Sequence, residues 1–247
     1  MDARPDPRPR LSVVQLLPNA LTLGALCAGL TAIRLGVEGK FDGAAALILL
    51  AGVLDGLDGR LARRLRSESA MGAELDSLCD FVDFGVAPAL VVHLWAYGGA
   101  GGEGWIAALL YAVACALRLA RFNIGSREPS PAPKTTFTGV PSPAGAMLAL
   151  LPIFVANLAP GWVLPAPLAA LWMVLVGALM VSRLPTPAFR PVTVRPEQAR
   201  MLLLGVVALG AALLTYPWLT LVLLDVGYLL LLLSGWARGR RLARKDG

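Results

Sequence analysis

The chain has 247 residues, of which 57% are hydrophobic and only 15% charged, and its mean hydropathy is +0.68. That composition excludes an ordinary soluble domain and reads as a polytopic membrane protein with no soluble domain left over. Twenty-two Lys and Arg against 16 Asp and Glu give a net charge of +6, but the charge is spread over many loops without an aromatic-basic platform, so the expectation is no nucleic-acid partner and contact with anionic membrane lipids instead.

The apolar stretches predict an all-α polytopic membrane protein of about eight spans, near residues 18–38, 43–65, 73–97, 104–124, 143–160, 165–182, 200–216 and 218–236. Each is close to the ~20 residues that a bilayer requires. Residues 1–11 form a tail carrying Arg4, Arg8 and Arg10, and Leu17-Pro18-Asn19-Ala-Leu-Thr22 opens the first span. The connection after the second span carries Arg60, Arg63, Arg64 and Arg66, and the fourth connection carries Arg118, Arg121, Arg127 and Lys134. Arg183, Arg190, Arg195 and Arg200 follow the sixth span, and residues 238–247 form a basic tail. All of the 22 basic residues except Arg34 and Lys40 thus fall on one side, which the positive-inside rule makes cytoplasmic, with both termini there. The domain reading is a core over 12–185 of about six spans, then two additional helices over 186–237. Cys27, Cys79 and Cys115 lie singly in predicted spans and indicate neither a disulfide framework nor a thiolate metal site.

Charge inside this apolar sequence is concentrated in one place. Asp55-Gly-Leu-Asp58-Gly59-Arg-Leu-Ala62-Arg63 ends the second span, and Gly72-Ala-Glu-Leu-Asp76-Ser-Leu-Cys-Asp80 opens the third. Ionised carboxylates are expensive in a membrane and default to a functional reading. Helical spacing puts Asp55 and Asp58 on one face, and Asp76, Asp80 and Asp83 at i, i+4 and i+7 on the next helix. The short basic connection makes the two helices antiparallel neighbours, so the acids converge near their cytoplasmic ends. An all-oxygen anionic cluster suits a hard dication, Mg²⁺ or Mn²⁺, and four carboxylates suffice for two ions. Such a pair clamps a diphosphate and eases departure of a leaving group. Gly59, Ala62 and Gly72 let backbones or a planar ligand approach closely, and Arg63 supplies a planar cation for phosphate. The bland alternative is a set of interhelical salt bridges between Asp55 or Asp58 and Arg60 or Arg63.

The pattern D-x-x-D-G-x-x-A-R, eight residues, G-x-x-x-D-x-x-x-D resembles the complete signature of the CDP-alcohol phosphotransferases, with every fixed position present. The resemblance implies a metal-dependent integral membrane enzyme, active as a homodimer, that moves a substituted phosphate from a CDP-linked donor to an alcohol and releases CMP. It implies Asp55, Asp58, Asp76 and Asp80 as metal ligands, Gly59, Ala62, Arg63 and Gly72 around the CDP moiety, and Asp80 also as general base. Asn19 and Thr22 read either as donor-pocket residues or as a helix cap beside Pro18. Asp83 lies outside the signature and is expected to support the cluster from behind.

Ala116-Leu-Arg118-Leu-Ala-Arg121-Phe122-Asn123 and Phe137-Thr-Gly139-Val-Pro141-Ser142-Pro143, with Phe84-Gly-Val-Ala-Pro88, resemble the bacterial and archaeal phosphatidylserine synthases of that family over residues 12–150. This implies CDP-diacylglycerol as donor, L-serine as acceptor, and a multi-pass protein of the cell (cytoplasmic) membrane whose site faces the cytoplasm. Serine brings a carboxylate, an ammonium and the attacking hydroxyl. Arg118, Arg121 and Lys134 are the candidate cations, and Asn123 and Ser142 the candidate polar orienters; the alternative is that they are positive-inside anchors and a helix entry. Rival acceptors are glycerol 3-phosphate, an inositol phosphate or choline, and a rival of another class is a cation transporter using the aspartates. Asp225 is an unexplained acid in the last span.

Overall fold

The computed structural model describes residues 16–65, 67, 69–127, 136–159, 161–162, 164–182, 185–187 and 196–243. Lys134, the tail over 1–11 and the end of the basic tail, 244–247, lie outside the described residues. The helices are α1 (Leu17–Val37), α2 (Phe41–Leu65), α3 (Ala70–Asp80), α4 (Ala87–Tyr97), α5 (Gly102–Arg127), α6 (Ser142–Leu158), α7 (Ala166–Val181), α8 (Pro196–Thr215) and α9 (Pro217–Ala243). A π-helical turn, Phe81–Val86, joins α3 to α4, so that Ala70–Tyr97 runs as one 28-residue rod.

By length and composition, Leu17–Val37, Ala70–Tyr97, Gly102–Gly125 and Pro217–Trp236 can each cross a membrane, and Ser142–Leu158, Ala166–Val181 and Arg200–Thr215 are shorter apolar helices. The 25-residue α2 carries Asp55, Asp58 and Arg60 in its second half. The chain is therefore a multi-pass helical membrane protein.

Small residues set the central packing. Thr22, Ala25, Gly29, Ala32 and Gly36 form the buried stripe of α1 at alternating three- and four-residue steps, and Ala44, Ala45, Ile48 and Ala51 answer it from α2. Without bulky side chains the two backbones come close, which is how helices associate where lipid removes the hydrophobic drive. At the end of α1, Arg34 Nε and Lys40 Nζ bond Glu38 at 3.0 and 2.8 Å, and these two cations hold its carboxyl below the usual range, Lys40 first.

Two prolines inside the bundle leave carbonyls without their helical donors. Pro88 cannot serve Phe84 O, and the hydroxyl of fully buried Tyr111 donates to that carbonyl at 2.9 Å. Pro152 cannot serve Leu148 O, and Trp172 Nε1 donates there at 2.7 Å. The first substitution sits at the π turn and stabilises the widened backbone just beyond Asp80.

One element lies outside the all-α expectation. Thr136–Thr138 and Pro185–Pro187 pair as a two-stranded antiparallel ribbon, Phe137 opposite Thr186. It ties the segment before α6 to the segment after α7. The turn that follows requires glycine: Gly139 has φ +82°, and an added Cβ would strike Met180 O and lie 2.9 Å from Ser182 O. Val140 N then bonds Leu179 O at 3.2 Å, which fixes the entry to α6.

Candidate active site

Asp55 on α2 and Asp76 and Asp80 on α3 converge. Each offers a carboxylate oxygen, and these oxygens all lie within 4.8 Å of one another. Among the described residues the ion pairs are those of Glu38, and none joins these acids to Arg60 or Arg63. The salt-bridge alternative is therefore not what the helices build. Three half-buried carboxylates with no salt bridge among the described residues form an all-oxygen donor set, which fits a hard dication.

Asp58 is set apart from that trio. It is buried, at 3% exposure, and Thr22 Oγ1 donates to its Oδ2 at 2.6 Å across the α1–α2 interface. The same hydroxyl is 3.1 Å from Pro18 O, but it has one proton, and the charged acceptor at the shorter distance takes it. Thr22 is thus a partner of Asp58.

Asn19, Thr22, Asp58, Gly59, Ala62, Arg63 and Gly72, the residues expected around the donor, all line one cleft of about 240 Å³, and Asp76 stands at its edge. Pro18, Ser67, Ser69 and Ala73 complete it. Gly72 meets α1 closely: a Cβ there would sit 3.1 Å from Ser69 Oγ and 3.2 Å from Asn19 Oδ1. Ser69 caps α3 by accepting from Gly72 N at 3.0 Å. Sequence reasoning passed over Ser67 and Ser69, although a Ser three residues before a helical amide is an N-cap signal.

Asp83 is almost fully buried in the π turn, and its Oδ1 has no hydrogen-bond partner among the described residues. It presses on Gly29 of α1, where an added Cβ would overlap Asp83 Oδ1. The i, i+4, i+7 reading placed it with Asp76 and Asp80, but the π turn starts immediately after Asp80 and changes the angular step. Asp83 is not one of the three grouped carboxylates.

The described acceptor candidates fall in three places. Arg118 on α5 donates from Nε to Val140 O at 2.7 Å and from Nη1 to Ser142 Oγ at 2.6 Å, so Arg118 and Ser142 form one unit, within electrostatic reach of Asp80. Asn123 bonds Ser77 on α3, Nδ2 donating to Oγ at 3.0 Å. Arg121 is exposed and donates to Val181 O at 3.0 Å, closing the end of α7. Ser77, between Asp76 and Asp80, was not anticipated; only the fold shows its partner.

Comparison with known proteins agrees with this geometry. The family model described as CDP-alcohol phosphatidyltransferase matches residues 15–182, and a second, CDP-alcohol phosphatidyltransferase 2, matches 200–232. The chain belongs to the CDP-alcohol phosphatidyltransferase family. Among its relatives, the CDP-diacylglycerol–serine O-phosphatidyltransferase of Mycobacterium tuberculosis (strain ATCC 25618 / H37Rv) is 40% identical over 229 residues, covering 90% of this chain and 79% of the relative. The proteins of that name from Helicobacter pylori (strain J99 / ATCC 700824) and Bacillus subtilis (strain 168) are each 35% identical, over 74% and 70% of this chain and 76% and 91% of theirs. Family membership speaks against the cation-transporter alternative.

Proposed function

We propose that this protein transfers the phosphatidyl group of CDP-diacylglycerol to the hydroxyl of L-serine, giving phosphatidylserine and CMP. The observation that carries the reading is the convergence of Asp55, Asp76 and Asp80 beside the cleft that holds Asp58, Gly59, Ala62, Arg63 and Gly72. Relatives named for this reaction cover most of the chain.

Asp55, Asp76 and Asp80 would hold Mg²⁺ or Mn²⁺, with Asp58 completing a set for two ions. The ions would neutralise charge on the diphosphate and on departing CMP. Arg63 faces the same anion from the rim of the cleft, while the small residues at 59, 62 and 72 leave room for the flat cytidine. Asn19 and Thr22 border it from α1, and Thr22 holds the Asp58 carboxylate in place.

Arg118 is held rigid by Val140 O and Ser142 Oγ and meets the serine carboxylate. Asp80 is the base that takes the serine hydroxyl proton as oxygen attacks the β-phosphoryl. Arg121 and Asn123 belong to that side, where Asn123 acts through Ser77; Lys134, the third candidate cation, lies outside the described residues. The cluster faces the cytoplasm of a cell membrane, where serine and CMP are soluble and the acyl chains stay in lipid. The active unit is a homodimer.

The test is purified full-length protein with CDP-diacylglycerol and, in separate reactions, serine, glycerol 3-phosphate, an inositol phosphate and choline. CMP release with serine alone, lost on chelation and restored by Mg²⁺ or Mn²⁺, is the expected result. Turnover only with another alcohol would reject serine.

A further inference from the structure

The turn between α3 and α4 is held from outside the rod that contains it. Ala87 N reaches back five residues to Val82 O, the spacing of a π turn, and Pro88 has no N–H to offer Phe84 O. Fully buried Tyr111 of α5 supplies that donor, its hydroxyl 2.9 Å from the carbonyl. Tyr111 is itself braced by α7, since a Cβ on Gly177 would lie 3.3 Å from the Tyr111 Cα. One turn further along α5, Cys115 meets the same segment: a Cβ on Gly85 would lie 3.1 Å from its Cβ and its Sγ. Arg118 follows at i+7 on that face and holds Val140 O and Ser142 Oγ. One face of α5 thus carries both the clamp on the π turn and the cation of the acceptor side.

The π turn decides where α3 points its acids. It holds one residue more than an α-helical turn, so closing it to α geometry would rotate α3 by about 100° about the rod axis relative to α4. α4 is fixed in the core by Ala87, Val91 and Val92, each at 0% exposure. The rotation would fall on α3 and carry Asp76 and Asp80 away from Asp55, with which they are grouped. The turn also keeps a cost in place, because Asp83 Oδ1 stays sealed inside it without a hydrogen-bond partner among the described residues. Irregular backbone that its surroundings over-determine in this way concentrates at functional sites. We infer that Tyr111 is a positioning residue for phosphatidyl transfer: by holding Phe84 O it keeps the π turn open and so keeps Asp76 and Asp80 facing Asp55. This rests on reading that carboxylate cluster as the reacting centre and not on which alcohol is the acceptor.

The test is Tyr111→Phe in the full-length protein, alone and combined with Pro88→Ala, read by CMP release and by thermal melting. Tyr111→Phe keeps the ring and removes the donor, so kcat/KM for CDP-diacylglycerol should fall about 10- to 100-fold, the effect of reacting groups misplaced by about 1 Å. KM for serine should not move, because the Arg118 and Ser142 unit is untouched, and the melting temperature should drop because Phe84 O is left unpaired. Adding Pro88→Ala gives that carbonyl a backbone donor and lets the turn close. The melting temperature should then recover while the rate stays low. Recovery of rate together with stability in the double variant, or wild-type kinetics in Tyr111→Phe, makes the phenol a packing group and overturns the role. Should Tyr111→Phe prove too unstable to assay, the double variant decides by the same criterion. Wild-type rates in Tyr111→Phe beside an inactive Asp80→Asn reject the role of Tyr111 alone, whereas near-normal rates in Asp80→Asn remove the reading on which it rests.

Discussion

The bond between Thr22 and Asp58 gives a quantitative handle on the donor side. Thr22→Val keeps the shape of the side chain and removes only the hydroxyl, leaving Asp58 buried without its 2.6 Å donor. A hydrogen bond to a charged acceptor contributes about 1.5–3 kcal/mol, and at roughly 1.4 kcal/mol per decade the loss corresponds to about 10- to 150-fold. Because Asp58 lines the donor cleft and Arg118 and Ser142 do not, the loss should fall on kcat/KM for CDP-diacylglycerol with KM for serine unchanged. Thr22→Ser retains the hydroxyl and should recover most of it. Steady-state CMP release against each substrate in turn is the assay. A Thr22→Val protein with wild-type donor kinetics would show that the bond is packing between α1 and α2 and that Asp58 works without it.

Gly29→Ala places a methyl group inside Asp83 Oδ1 and 3.0 Å from its Cγ, with the Asp83 Cα at 3.3 Å. Either the π turn or α1 must give way, at a cost of about 1–3 kcal/mol, so the melting temperature should fall, and activity with it because the turn adjoins Asp80; differential scanning fluorimetry and CMP release read the two. Arg118→Lys cannot keep both the Val140 and Ser142 bonds from one ammonium, and it should raise KM for serine at least about tenfold while KM for the donor, measured in the same preparation, stays the same.

The helical layout was legible because a bilayer imposes a length on apolar segments. The first span was expected over 18–38 and is Leu17–Val37; the last was expected over 218–236 and α9 is Pro217–Ala243. That Gly59, Ala62 and Gly72 would border one cleft was legible residue by residue, since small residues announce close approach in sequence. Helical spacing put Asp55 and Asp58 on one face but did not show that Thr22 would bond Asp58. Three residues on a helix leave about 60° between side chains, enough for Asp55 to face Asp76 and Asp80 while Asp58 faces Thr22. The π turn depends on Tyr111, 27 residues away, donating to Phe84 O, and the ribbon joins Phe137 to Thr186 across two helices. Such long-range partners leave no periodic trace, and the same holds for Ser77 with Asn123.

The central claim is that the carboxylate cluster carries phosphatidyl transfer to serine, and Asp80→Asn tests it most directly. The substitution keeps the size of the side chain and removes the base. With CDP-diacylglycerol, labelled serine and Mg²⁺ or Mn²⁺, the wild-type protein should form CMP and phosphatidylserine in equal amounts. The Asp80→Asn protein should bind CDP with much of the wild-type affinity and form neither product above background. Near-normal product from Asp80→Asn, or no CMP from the wild-type protein with any acceptor, would contradict the account.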